Sequence, residues 1–177
     1  MLLCWGRELN QFYNDPFRPI LGVSKPPVLG KSTKETFAEA WHIIGPLFEQ
    51  VMQGTAVGFE DMLVPLDRNG FLEECYFLYS YSPIRDESGG VGGILVTCTE
   101  TTGRVVAERR LRTLRELASQ AAQAQEEVMA WQNAAQVLAA NAADLPFSTV
   151  YARPGGARSQ RRVGVIGRPR APDHPRR

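Results

Sequence analysis

With 177 residues, 44% of them apolar and 22% charged, the chain has room for one full domain and part of another, and its composition excludes wholesale disorder. No stretch approaches the ~20 apolar residues of a bilayer crossing and no leader-like segment opens the chain, so a cytoplasmic protein with no membrane partner is expected. The net charge of +1 hides an asymmetry: residues 153–177 carry eight arginines against one acid, whereas the first 152 residues hold 12 basic and 18 acidic side chains. A nucleic-acid partner would therefore rest on a tail that lacks interleaved aromatics, and is disfavoured.

Residues 2–6 and 9–13 read as two short strands around the polar Arg7 and Glu8. Asn14-Asp15-Pro16 stops the second, because Asn and Asp favour turns and proline cannot continue a ladder; Pro16 also suits the start of a short helix over 17–21. A loop rich in Gly and Pro follows over 22–34. Phe37, Trp41, Ile44, Phe48 and Val51, spaced 4, 3, 4 and 3, predict one helix with an apolar stripe, opened by Ser32 or Thr33, kinked at Pro46 and closed by Gly54. Three β segments come next, at 56–66, 71–84 and 91–99, joined by turn-rich connections at 67–70 and 85–90 that suit antiparallel hairpins. Alternation in the middle one separates Cys75, Phe77, Tyr79 and Tyr81 from Tyr76, Leu78, Ser80 and Ser82 without saying which face turns inward.

From Gly103 to about Asn141 the composition is that of a helix, with Leu111, Leu114 and Ala118 starting a heptad seam beside a run of arginines. Gln125 interrupts the pattern, Trp131, Ala135 and Leu138 define a second helix, and Asp144-Leu145-Pro146 ends it. Residues 147–152 read as a lone strand, and the Arg, Gly and Pro beyond Pro154 as a disordered tail. Cys4, Cys75 and Cys98 are too few and too irregular for a disulfide framework or a metal site, and two histidines cannot assemble a catalytic constellation, so no catalytic residue and no enzymatic activity is expected.

Two stretches are more specific than this order of elements. WGRELNQFYNDPFRPILG (5–22) and PLDRNGFLEECYFLYSYSPIRDESGGVGGILVTCTETTGRVVAERRLRTLREL (65–117) resemble the opening and closing parts of PAS domains that stand at the front of bacterial two-component sensor histidine kinases. Residues 119–152, ending in DLPFSTVY, are similar to the first helix and strand of a GAF domain. The resemblance implies an α+β fold: a five-stranded antiparallel sheet with helices on one face, then a long connecting helix and a disordered tail. It divides the chain into a sensor domain (1–102), a coiled connector (103–121), a partial GAF domain (122–152) and the tail (153–177). Nothing resembles a phosphoacceptor helix or an ATP lid, so a truncated or frameshifted product of a longer sensor gene is expected.

By the family's alternation, Phe59 and Leu63 on the first long strand, Phe77, Tyr79 and Tyr81 on the second, and Ile94, Val96 and Cys98 on the third would line an inner cavity. Phe37, Trp41, Ile44 and Phe48 would cover it, making a wall suited to a small apolar ligand, or simply a packed core. Haem on His42 and flavin are disfavoured and no cofactor is required; Cys75 and Cys98 read as buried hydrophobes rather than redox centres. The family's exit motif, Asp-x-Thr, appears here as Glu100-Thr101-Thr102, a helix cap that would transmit signals if Glu100 reached a basic side chain, with Arg85 as candidate. Leu111, Leu114 and Ala118 would then pair two copies as a homodimer. A ligand-free dimerisation or interaction module is the competing reading.

Overall fold

The computed structural model describes residues 1–152 and 161–166. Strands β1 (Leu2–Trp5) and β2 (Asn10–Tyr13) pair antiparallel, and β1 pairs on its other side with a strand from far along the chain. A 3-10 turn over Asp15–Phe17 and helix α1 (Arg18–Leu21) follow, with Pro16 in the first turn, where its missing N–H costs nothing.

The single helix expected from the stripe beginning at Phe37 is divided. Helix α2 (Thr33–Thr36) and a 3-10 turn (Ala38–Ala40) precede α3 (Trp41–Met52), and Phe37 lies between them at φ −115° and ψ 38°, outside any helix. The break has a cause outside the helix itself: Lys25 Nζ, from the preceding loop, donates to the Thr36 carbonyl at 2.6 Å, taking an acceptor that a continuous helix would use internally. Phe37 is nonetheless buried, edge-on to Phe17. Pro46 lies inside α3 without ending it.

Strand β3 (Val57–Leu63) leads into a separate two-residue ladder, β4 (Leu66–Asp67) with β5 (Leu72–Glu73), before the long strands β6 (Tyr76–Arg85) and β7 (Val91–Glu100). The hairpin expected between 56–66 and 71–84 is interrupted because Pro65 has no N–H to give the ladder. The main sheet has the order β2-β1-β7-β6-β3 and is antiparallel throughout. Its inner face contributes Leu2, Cys4, Phe77, Tyr79, Tyr81, Ile94 and Val96 to a core closed by Ile44, Phe48 and Val51 of α3.

Helix α4 (Thr102–Gln123) follows the sheet directly, and α5 (Glu127–Ala140) begins after a break at the point where Gln125 interrupts the heptad pattern. Residues 147–152 are not a lone strand: β8 (Ser148–Ala152) pairs antiparallel with β9 (Arg161–Ile166), and α5 packs against both. Strand β9 also corrects the expectation of a tail without structure, since its Val163, Val165 and Ile166 are residues that favour strands. The rest of that tail lies outside the described residues. The chain divides into two compact units, Met1–Val105 and Val106–Arg177. Among the described residues no helix is long and apolar enough to cross a membrane.

Candidate functional site: an apolar cavity and the hinge beyond it

The sheet and the helices over it line a cavity of ≈ 60 Å³. At about 10–15 Å³ for each water-sized position, that is room for a molecule of a few heavy atoms. Phe77, Tyr79 and Tyr81 of β6, Val96 and Cys98 of β7, and Ile44 and Phe48 of α3 stand in its wall, together with Phe37 and Val64. Phe48 is also part of the outer groove that holds Trp41, so one ring separates the cavity from the surface.

Four expected wall residues, Trp41, Phe59, Leu63 and Ile94, lie elsewhere. Trp41 packs on Phe48 with ring centroids 5.4 Å apart and faces the outer groove. Phe59 is 44% exposed and Leu63 43% exposed. The cause is a bulge: Phe59 pairs with Tyr79 but Met62 with Phe77, with Asp61 at φ 51° between them. One extra residue reverses the alternation, so Met62 and then Val64 turn inward while Leu63 pairs with Tyr76 on the outer face. Phe59 stays on the inner side against Tyr79, but on an edge strand that the cavity does not reach. Ile94 is fully buried in the core without lining the cavity. His42 lies on the exposed side of α3.

The wall is nearly all apolar, and its polar groups are protonated. The Tyr79 hydroxyl donates to the Met62 sulfur, and burial pushes its pKa up to about 12. Burial raises Tyr81 further, with Tyr79, Cys98 and Cys4 adding to the effect. Burial also raises the thiols of Cys75 and Cys98, which disfavours the thiolate that redox or nucleophilic chemistry requires. The remaining hydroxyl at the cavity, Thr33, donates to the Leu9 carbonyl at 2.8 Å and contacts Cys4 Sγ.

Beyond Cys98 the strand ends in an ion-paired hinge. Glu100 accepts a hydrogen bond from Arg68 Nη1 at 2.8 Å and another from the Thr102 hydroxyl at 2.8 Å. Arg68 also donates through Nη2 to Glu73 at 2.9 Å, and its side chain is only 14% exposed. The main chain of Tyr76 is held from both sides, its N–H donating to Thr102 Oγ1 and its carbonyl accepting from the Thr101 N–H. Thr102 therefore ties α4 to β6 rather than capping its own first turn, and Arg104 Nη2 donates to both carboxylate oxygens of Asp61, at 2.5 and 2.6 Å.

Arg85 is not the partner of Glu100. The register sets Glu100 opposite Phe77 and Val91 opposite Arg85, so the two lie at opposite ends of strands roughly 30 Å long. Arg85 instead donates to the Gly89 carbonyl within its own turn. Arg68 takes that place from the turn between β4 and β5, where its carbonyl also accepts from the Val23 and Ser24 N–H groups. Gly22 permits that approach: a Cβ there would sit 2.2 Å from the Arg68 oxygen.

The PAS fold family matches residues 2–106, more than half of the chain and the whole of this cavity and hinge. This chain belongs to the PAS fold family. Its PAS domain is a sensory one, a signal-sensing and interaction module. Among solved structures, that of an RNA-binding light-oxygen-voltage receptor is similar at 19% identity with a TM-score of 0.47, over 70% of this chain and 34% of that one. The chain thus spans about a third of that protein. No curated protein matches.

After the PAS domain, α4 shows two sides within the second unit. Arg109, Thr113, Leu117 and Gln120 are half-buried at helical spacing, whereas Leu111 and Leu114 are 50% and 60% exposed and Ala118 is exposed with them. The half-buried side is anchored by Asp144, which accepts from Arg109 at 2.9 and 2.8 Å, from Arg110 at 3.3 Å and from Asn141 at 3.0 Å. The Arg109 hydrogen bonds, against an opposing effect of burial, hold the Asp144 carboxyl far below the usual carboxylate range. A folded-state pKa below the unfolded value of about 3.9 means that this contribution is complete above that value and fades as the pH falls further. Thermal melts between neutral and acid pH should show that loss in the native chain and less of it in Asp144→Asn; equal acid sensitivity would remove the anchor from the account.

Proposed function

We propose that this chain is the sensory input module of a signalling protein resembling a two-component sensor histidine kinase. In this reading residues 1–102 sense, 103–121 form a dimerising connector, and 122–152 begin a GAF domain. The chain itself is non-catalytic and acts in the cytoplasm, and the kinase activity belongs to the longer parent.

One observation carries the proposal. Val96 and Cys98, in the cavity wall, and Glu100, in the hinge, alternate along one strand, so β7 joins the two places directly. Cys98 and Glu100 are about 7 Å apart along that strand. A molecule entering the cavity, or a change of packing around it, displaces β7 and shifts the balance between geometries of the Glu100–Arg68 pair. Thr102, hydrogen-bonded to Glu100 and to Tyr76, passes that bias to the first turn of α4. The exposed Leu111, Leu114 and Ala118 give a second copy a seam through which the bias changes the pairing of the helices.

A second reading, a dimerisation module whose core needs no ligand, is favoured by the small size of the cavity. Native mass spectrometry of the purified chain separates the two, since a retained small molecule supports sensing by ligand. Dimerisation is tested by analytical ultracentrifugation at micromolar concentration. The full chain should sediment as a dimer and the Leu111→Glu/Leu114→Glu variant as a monomer; a native chain that is already monomeric would remove the dimeric relay.

A further inference from the structure

Tyr81 is the one cavity-wall tyrosine left without a partner. Only 6% of its surface is exposed, its ring stacks on Tyr79 at 4.7 Å and meets Phe48 at 5.0 Å, and its hydroxyl makes no hydrogen bond with any described residue. The neighbouring phenol of Tyr79 is already engaged by Met62, and Thr33 by the Leu9 carbonyl. The Tyr81 hydroxyl is not sealed off, so a molecule in the cavity can reach it, and a polar group set in so apolar a wall is best satisfied by a partner. Water is a poor occupant, because a buried water needs two to four polar partners and this wall provides little besides the one phenol.

We propose that Tyr81 reads the polar atom of a small neutral ligand, donating its O–H to a single acceptor oxygen while the ligand's apolar body fills the space between Ile44, Phe48 and Val96. The ligand class follows from three observations. The volume of ≈ 60 Å³ limits it to a few heavy atoms, short ketones or ethers rather than flat ring systems. The apolar wall rejects ions, since nothing in it compensates a buried charge. A protonated phenol has its O–H to donate, and a group that only accepts, such as a ketone or ether oxygen, pairs with it without leaving a donor of its own unpaired in the apolar wall. This inference rests on the reading that the cavity takes a ligand, and adds what that ligand must carry.

The test uses the full chain and two probes of the same shape, 2-butanone and 2-methyl-1-butene, in which a carbonyl oxygen and a CH₂ group exchange places. Binding is followed by NMR shifts of the Ile44 and Val96 methyl groups in the native chain and in Tyr81→Phe. Tyr81→Phe should weaken 2-butanone roughly five- to tenfold, the effect of one hydrogen bond, and leave 2-methyl-1-butene unchanged or tighter. Its melting temperature should equal or exceed that of the native chain, because an unpartnered hydroxyl has been removed. If the alkene binds but the ketone loses nothing in the variant, or both probes lose equally, Tyr81 is not the reader and only this inference fails. If neither probe binds either protein, the ligand-binding reading of the cavity fails as well. A clearly lower melting temperature would show that the hydroxyl already has a partner, and would also overturn the inference.

Discussion

Phe48→Ala should lower the stability of the PAS domain by about 3–5 kcal/mol, at the upper end of what a core truncation costs. Phe48 is 2% exposed and lies between Trp41 at 5.4 Å and Tyr81 at 5.0 Å, so its removal takes contact from α3 and from β6 together. The cost rises with the void left behind, and here the void cannot stay small. Phe48 stands between the ≈ 60 Å³ cavity and the outer groove, so truncation merges the two and exposes the phenols behind it to water. At about 4–8 °C per kcal/mol for a domain of this size, the melting temperature should fall by more than about 12 °C. Near-UV circular dichroism follows the transition through the aromatic cluster itself. Phe48→Leu, which keeps most of the partition, should lose less than half as much. A loss below about 1 kcal/mol for the alanine variant would mean that the ring is not part of the close-packed interior described here.

The features that were legible in the sequence and those that were not differ in physical kind. The long strands at 76–85 and 91–100, the turn at Asn14-Asp15-Pro16 and the break near Gln125 are local, and local chemistry announces them. The division of the helix at Phe37 is not, because the stripe through Phe37, Trp41, Ile44, Phe48 and Val51 reports which residues are covered rather than how the chain is wound between them. Phe37 is as buried outside the helix as it would have been within it. The bulge in β3 left a trace that two-residue alternation overlooks: the covered residues Val57, Met62 and Val64 change parity after Asp61, a residue type that tolerates the left-handed region better than most. Arg68 left no trace at all. A turn reading Asp-Arg-Asn-Gly accounts for itself, and only the tertiary fold brings its guanidinium to Glu100, thirty-two residues on. The candidate cavity was thus legible wherever regular alternation held, and the basic half of the hinge was not.

Arg68→Met should cost about 2–3 kcal/mol, more than an exposed ion pair is worth, because it leaves two partly covered carboxylates without their shared cation. The Glu73 and Glu100 side chains are 18% and 31% exposed, too shielded for full hydration and facing a single guanidinium. Arg68→Lys keeps the charge but loses the fork that reaches both acids, and should recover only part of the loss. Since Arg68 and Glu100 act together, the Arg68→Met/Glu100→Gln double variant should lose less than the sum of its singles. Hydrogen exchange localises the effect. The carbonyl of Arg68 survives every substitution, so the Val23 and Ser24 amides that bond to it should stay protected. The Val105 amide, held by the Thr101 carbonyl in the first turn of α4, should exchange faster once Arg68 no longer holds the Glu100 that braces Thr102. Faster exchange at all three amides would indicate general loosening, and unchanged exchange at Val105 would disconnect the ion pair from the helix. Selective loss at Val105 is the signature of a hinge, because it means that the strand can lose its hold on α4 while the sheet that senses stays intact.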